Sequence, residues 1–325
     1  MEEINFTDIS GIKVGHAQNF EAATGCTVVL CEKGAVAGVD VRGSSPSTRE
    51  TDGLNPVNVR DCIHAVLLTG GSAYGLDAAA GVMQYLEEHD VGRDVQVAKV
   101  PIVCGAVIFD LKCGRADMRP DREMGYAACE NAGTGPVAIG SVGAGTGATV
   151  GKIKGPAYAM KGGLGTCCYQ LGALKVGALI VVNALGDIYD AGEQRIIAGT
   201  LSENRRQLAG TEHLMLGKYG DVTDLYADNT VIGVVATNAK LTKSEANKLA
   251  SVAHDGLARA VRPAHTSFDG DSLFTMATGE TCANFNVVAL MAARAVETAI
   301  VRGVHAAESL GGVPACRDLF KSGAT

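Results

Sequence analysis

The chain has 325 residues, 47% of them hydrophobic and 19% charged, with a net charge of −7. That is enough apolar material for a large core, in one big α/β unit or about two domains. The acidic balance, with Lys and Arg dispersed, argues against nucleic acid or an anionic membrane as partner.

Apolar runs at residues 26–31 and 35–41 read as strands, flanking a hairpin-like connection at Glu32-Lys33-Gly34. Residues 42–51 form a polar loop. Residues 63–69 read as a buried strand leading through Gly70-Gly71-Ser72 into a helix over 74–87, where Leu76, Ala79, Ala80, Met83 and Leu86 recur at helical spacing. Residues 176–183 are a further buried strand, and 230–236 another. Thr242-Lys243-Ser244-Glu245 is a capping box opening a helix to about Val261, which Pro263 ends. Residues 273–277 read as a strand and 286–301 as a helix with a mostly apolar stripe. Arg294 and Glu297 interrupt that last run, so no membrane span is expected. Strands grouped with helices outside them suggest a layered α/β sandwich in one domain.

Ten cysteines are scattered without a C-x-x-C pair or a His at zinc-finger spacing. They read as reduced, buried small hydrophobes. Met1-Glu2-Glu3-Ile4 lacks the basic and apolar regions of a signal peptide, so a cytoplasmic location is expected.

Five segments carry chemistry. At Tyr226-Ala227-Asp228-Asn229 a polar turn runs into Thr230, which opens a β-branched apolar run. A Thr at the mouth of a buried strand suits an N-terminal nucleophile, whose freed α-amine is the base for its own hydroxyl. The same residues also read as an ordinary turn and strand start. Gly70-Gly71-Ser72 can present backbone N–H groups to an anion, or can simply let helix and strand pack closely. The Gly-rich run 141–152 ends in Lys152 but lacks a Walker G-K-[ST]. Lys152 is either an anion-stabilising amine at a strand end or a solvated neighbour of Lys154. Asn183 closes a buried strand, where its amide can face an oxyanion. Asp269-Gly270-Asp271 can orient an ammonium group or form a bare turn.

Taken in order, these stretches resemble the L-aminopeptidase/D-esterase family, which includes β-peptidyl aminopeptidases and nylon-oligomer hydrolases. The matching segments are 8–16, 69–76, 145–152, 229 with the strand after it, and 266–274, so the resemblance covers residues 7–305. It implies a four-layer αββα sandwich of N-terminal-nucleophile type, and self-cleavage into an α-chain, 1–229, and a β-chain, 230–325, assembled into a homo-oligomer. It implies Thr230 as nucleophile, Asn229–Thr230 as the cleaved bond, Lys152 and Asn183 as active-site residues, and Asp269 and Asp271 near the nucleophile's amine. Where the family has an oxyanion Tyr, this chain has Phe109, which has no hydroxyl. Phe109, Gly71 and Ser72 are expected to line the substrate site. The activity implied is hydrolysis of short peptides, amides or esters without metal or organic cofactor. An acyltransferase on the same scaffold, or a non-catalytic phosphate binder using the Gly-rich turns, are the alternatives.

Overall fold

The computed structural model describes residues 1–218 and 229–319. Of the polar turn before Thr230, Tyr226 to Asp228 lie outside the described residues.

One strand organises the rest. Thr24–Val41 runs for 18 residues without a break. Its first half pairs with Lys13–Asn19 on one side and Ile63–Thr69 on the other. Its second half pairs with Ser272–Thr281. The register shifts between Leu30 and Ala35, and there Gly34 adopts φ +81°, a conformation that glycine tolerates best. The hairpin expected at Glu32-Lys33-Gly34 is therefore an irregularity within a single strand. Polar residues and a Gly between two apolar runs signal either case, and here the chain continues forward into a second sheet.

From that strand one sheet continues through Ser272–Thr281, Thr230–Ala239, Leu174–Asn183 and Gly163–Leu171 to the short edge Glu2–Ile4. The other continues through Ile63–Thr69 and Val103–Val107 to Thr48–Arg49. The sheets pack face to face: Val29, Val66, Leu68 and Ala106 of one share a core with Leu179, Val181, Ile232, Val234 and Phe274 of the other. The opposite side of the first sheet, with Ile180, Val182, Val231 and Val235, is covered by the helices Lys243–Ala260 and Phe285–Ala306. The outer side of the second, with Val28, Leu30, Ala65 and Leu67, is covered by Ala78–Glu88 and Arg122–Glu130. The order is helix, sheet, sheet, helix. Strands covered on both faces must be apolar at every position, which is why 176–183 and 230–236 read as continuous runs rather than alternations.

The predicted helices form with shifted ends. The capping box is made, Thr242 Oγ1 accepting from Glu245 N at 3.2 Å and Glu245 Oε2 from Thr242 N at 2.8 Å. The segment expected as a helix from Tyr74 begins as a 3-10 turn, Ser72–Asp77, before Ala78–Glu88. Eight of the ten cysteines are buried, Cys62 is half-buried, Cys282 is exposed, and all are free thiols. No helix among the described residues is long and apolar enough to cross a membrane.

The two helices on the first sheet cross where Gly256 faces Ala293: a Cβ on Gly256 would lie 2.0 Å from the Ala293 carbonyl oxygen. Gly256→Ala must push the helices apart and is expected to cost about 1–3 kcal/mol. Gly133→Ala, with nothing within 4 Å of its Cβ, should stay within about 0.5 kcal/mol of the parent. Denaturant midpoints of the two variants check this difference.

Candidate active site

Three strand ends converge at the Asn229-Thr230 junction. Thr230–Ala239 lies parallel to Ser272–Thr281, with Ile232 opposite Ser272. It lies antiparallel to Leu174–Asn183, with Thr230 opposite Asn183. The parallel pairing carries on as a bridge between Asn229 and Asp269. The Asp-Gly-Asp turn and the junction, 40 residues apart in sequence, are thus side by side.

At the junction itself the Asn229 carbonyl oxygen accepts two donors. One is the Thr230 hydroxyl that follows it in the chain. The other is the backbone N–H of Gly270, at 2.9 Å. Thr230 is 6% and Asn229 2% exposed, and among the described residues the buried Asn229 side-chain oxygen Oδ1 has no hydrogen-bond partner. Gly270 must be small here: a Cβ would come within 3.0 Å of Thr230 Oγ1 and 2.6 Å of the Ser45 carbonyl.

Both acids are buried and held by N–H and O–H donors. Asp271 Oδ1 accepts from Val231 N at 2.7 Å. Its Oδ2 accepts from His265 N at 3.1 Å and pairs with His265 Nδ1 at 2.8 Å. Asp269 Oδ2 accepts from Thr266 N at 2.9 Å and Thr266 Oγ1 at 2.5 Å. Burial, with the Asp271 charge beside it, pushes the Asp269 carboxyl up to about 6. The loop 42–51, too polar for core, clamps this turn: Arg42 N and Ser45 N donate to the carbonyls of Asp271 and Asp269.

On the other flank, Lys152 Nζ donates to the Asn183 carbonyl at 2.9 Å, so this Lys is tied to the site rather than solvated beside Lys154. The Asn183 side-chain oxygen accepts from Thr149 N at 3.0 Å, and its amide nitrogen donates to the Phe109 carbonyl at 3.2 Å. A cavity of about 270 Å³ opens here, lined by Phe109, Lys112, Lys152, Leu185 and Asn229 among others.

The Gly-rich turns are engaged elsewhere. Gly71 N–H donates to the buried carboxylate of Asp110 at 2.7 Å, and Ser72 N–H to the Ile108 carbonyl at 3.0 Å. Neither residue lines that cavity. Asp110 is shared with Thr24 Oγ1 at 2.6 Å, so it braces the turn from inside; burial pushes its carboxyl up. In the second run, Gly143 N–H and Ala144 N–H donate to Gln18 Oε1 and Thr27 Oγ1 at 3.0 and 3.1 Å. Donors already paired within the fold are not free to cradle a phosphate.

Sequence reading singled out Thr230, Asn229, Lys152, Asn183, Asp269 and Asp271, and the fold brings all six to one place. It missed Gly270 as a donor, His265 as the partner of Asp271, and the clamp from residues 42–45. The His265-to-Ser272 stretch stood out as a turn, but which backbone N–H faces Asn229 depends on strand register.

Two sheets sandwiched between two helical layers form the architecture of the N-terminal-nucleophile hydrolases. The solved L-aminopeptidase D-Ala-esterase/amidase of Ochrobactrum anthropi, described as a variant of that fold, superposes with a TM-score of 0.72 at 21% identity, covering 95% of this chain and 88% of that one. A Burkholderia β-aminopeptidase superposes at 0.66 and 22% identity, covering 98% and 94%. By sequence, a Mycobacterium leprae protein named an uncharacterized aminopeptidase is 42% identical over 97% of this chain and 94% of its own. A 6-aminohexanoate-oligomer endohydrolase of Paenarthrobacter ureafaciens is 31% identical over 84% of this chain and 74% of its own. The model of Peptidase family S58 matches residues 5–316. The chain belongs to that family and is a peptidase, hence a hydrolase.

The raised Asp269 carboxyl sets a pH dependence. The folded chain keeps this proton to higher pH than the unfolded chain, so the stability it contributes is complete below about pH 4 and is lost as pH rises through about 6. Asp269→Asn removes that loss. In a Thr230→Ala background, which guards against cleavage at 229–230, Asp269→Asn should flatten the change between pH 4 and 7 by on the order of 2 kcal/mol. Urea midpoints at both pH values measure it.

Proposed function

We propose that the chain cuts itself between Asn229 and Thr230 and then works as an aminopeptidase with Thr230 as N-terminal nucleophile. The observation that carries this is the Asn229 carbonyl, engaged at once by the Thr230 hydroxyl and by the Gly270 N–H. A hydroxyl adjacent to the carbonyl it would attack, with a backbone donor on the oxygen that becomes negative, suits an N-to-O acyl shift.

In that shift the bond from Thr230 Oγ to the Asn229 carbonyl carbon forms. Negative charge moves onto the carbonyl oxygen, against Gly270 N–H. The peptide C–N bond then breaks and the nitrogen takes the proton that the Thr230 hydroxyl gives up, leaving an ester and a free amine. Water hydrolyses the ester, releasing the Asn229 carboxyl and the Thr230 hydroxyl, and leaves Thr230 with the α-amine that the shift has freed. An α-amine titrates near about 7.7–8.0, within reach of a general base at neutral pH. The products are an α-chain, 1–229, and a β-chain, 230–325.

In turnover the Thr230 oxygen attacks the scissile carbonyl of a short peptide, amide or ester held in the cavity beside Phe109. Asn183 and backbone N–H groups receive the oxyanion, and Lys152 keeps positive charge nearby. Asp269 and Asp271 offer carboxylates to an ammonium group, which fits release of an N-terminal residue. The names of the relatives, aminopeptidase and 6-aminohexanoate-oligomer endohydrolase, support amide substrates. We place the processed αβ units in a homo-oligomer in the cytoplasm. Acyl transfer to an amine instead of water is the reading to separate from this one, by offering amine acceptors and analysing the product.

Intact mass and N-terminal sequencing of purified protein test the proposal. Two fragments are expected, the smaller beginning at Thr230. Thr230→Ala should stay whole and lose amide hydrolysis. An uncut wild-type chain, inert to amide substrates after long incubation, overturns the reading. Cutting that persists in Thr230→Ala moves the nucleophile elsewhere, Thr237 being the next Thr on the strand.

A further inference from the structure

Behind the junction lies a group that the proposed chemistry does not use directly. His265 stands between the end of the helix Lys243–Ala260 and the Asp-Gly-Asp turn. It is mostly buried, its side chain 19% exposed. Its ring nitrogen Nδ1 lies 2.8 Å from Asp271 Oδ2, and its own backbone N–H donates to the same oxygen at 3.1 Å. The other Asp271 oxygen accepts the N–H of Val231, the residue that follows Thr230, at 2.7 Å. One carboxylate thus joins His265 to the backbone of the nucleophile strand.

The chemistry fixes the tautomer. An ionised carboxylate only accepts, so Nδ1 must carry the proton. Nε2 is buried and has no hydrogen-bond partner among the described residues. Next to it, edge to face at 4.9 Å between centroids, is His254. His254 Nε2 lies 3.0 Å from the Asp40 carbonyl, and burial pushes this ring down to about 4. His254 is therefore uncharged at neutral pH and packs as a wall. The charged groups around the pair are Asp271 on the turn and Asp40, with Arg42 paired to Asp40 at 2.9 Å.

His265 also holds a left-handed backbone, φ +56°, which a non-glycine residue adopts at a cost. That conformation lets its N–H and its ring reach one carboxylate oxygen together.

Resting on the reading of Thr230 as nucleophile, we propose that His265 is a positioning residue: its Nδ1–H locks the Asp271 carboxylate, which through the Val231 N–H fixes where the Thr230 hydroxyl and nitrogen sit. Without the ring, Asp271 Oδ2 keeps only the longer backbone donor at 3.1 Å, and the carboxylate is held less firmly against Val231. The Thr230 hydroxyl would then lose its placement against the Asn229 carbonyl, and small losses of placement cost reaction rates heavily.

Two substitutions separate the ring donor from the backbone shape. His265→Asn keeps an N–H donor close to the position of Nδ1 and tolerates the left-handed conformation. His265→Gly tolerates it too but has no side-chain donor. The rate of appearance of the 230–325 fragment is followed by intact mass on freshly purified chains, with unfolding midpoints taken in a Thr230→Ala background. His265→Asn is expected to cut within about threefold of wild type and His265→Gly at least about tenfold slower. Gly cutting as fast as Asn, or Asn as slow as Gly, overturns the role of His265 while leaving Thr230 as nucleophile. A wild-type chain that never cuts overturns both. An independent readout is imidazole ¹⁵N NMR of the uncut Thr230→Ala chain. A proton on Nδ1 supports the arrangement, and a proton on Nε2 alone overturns it.

Discussion

The parallel pairing of Thr230–Ala239 with Ser272–Thr281 is the constraint from which the site follows. Parallel strands begin at the same edge of a sheet. The residue before one strand therefore meets the residues before the other, and Asn229 meets Asp269, Gly270 and Asp271. An antiparallel pair would carry those acids to the far edge. Parallel strands need a long crossover, supplied here by the capped helix Lys243–Ala260, which also covers the sheet. The antiparallel neighbour on the other side ends where the parallel pair begins, placing Asn183, and through its carbonyl Lys152, at the same junction.

The electrostatics of this corner are lopsided in the uncut chain. Asp269 and Asp271 are buried, and Asp269 makes no ion pair among the described residues. Its charge is met only by Thr266 and by backbone N–H groups, and burial accordingly raises its carboxyl. On the proposed reading, cleavage creates an α-amine at residue 230, on the chain whose next N–H already touches Asp271. A cation there relieves the buried acids as well as serving as base. The cut would then improve the electrostatics of the fold that performs it, which gives the cleaved form a reason to stay assembled.

Much of this was legible in the sequence where chemistry is local. Continuous apolar runs gave the doubly covered strands, Thr242 and Glu245 gave a helix start, and the strand-opening Thr with its distant Lys, Asn and paired Asp marked residues that the fold gathers in one place. What stayed hidden depends on register and on partners far along the chain. Glu32-Lys33-Gly34 looks like a hairpin because a turn and an irregularity inside a strand use the same residues. The Gly70-Gly71-Ser72 turn looks like an anion cradle because nothing local reveals that Asp110, 39 residues on, already holds Gly71 N–H. The loop 42–51 looks like solvent-facing chain because its polar groups do not announce that they bind the carbonyls of Asp269 and Asp271.

Phe109 lines the cavity beside the junction. Residue 109 takes part through its backbone, because its carbonyl accepts the Asn183 amide at 3.2 Å. If Asn183 is to receive an oxyanion, its amide either offers its second N–H or turns the first away from Phe109. A negative oxygen is the stronger acceptor and wins that competition, whereas the neutral carbonyl of a ground-state substrate does not gain as much. Such an exchange favours the transition state over the bound substrate, which is the direction catalysis requires. On the proposed reading the oxyanion is met by a strand-end amide, fixed by the same register that sets Thr230 against Gly270.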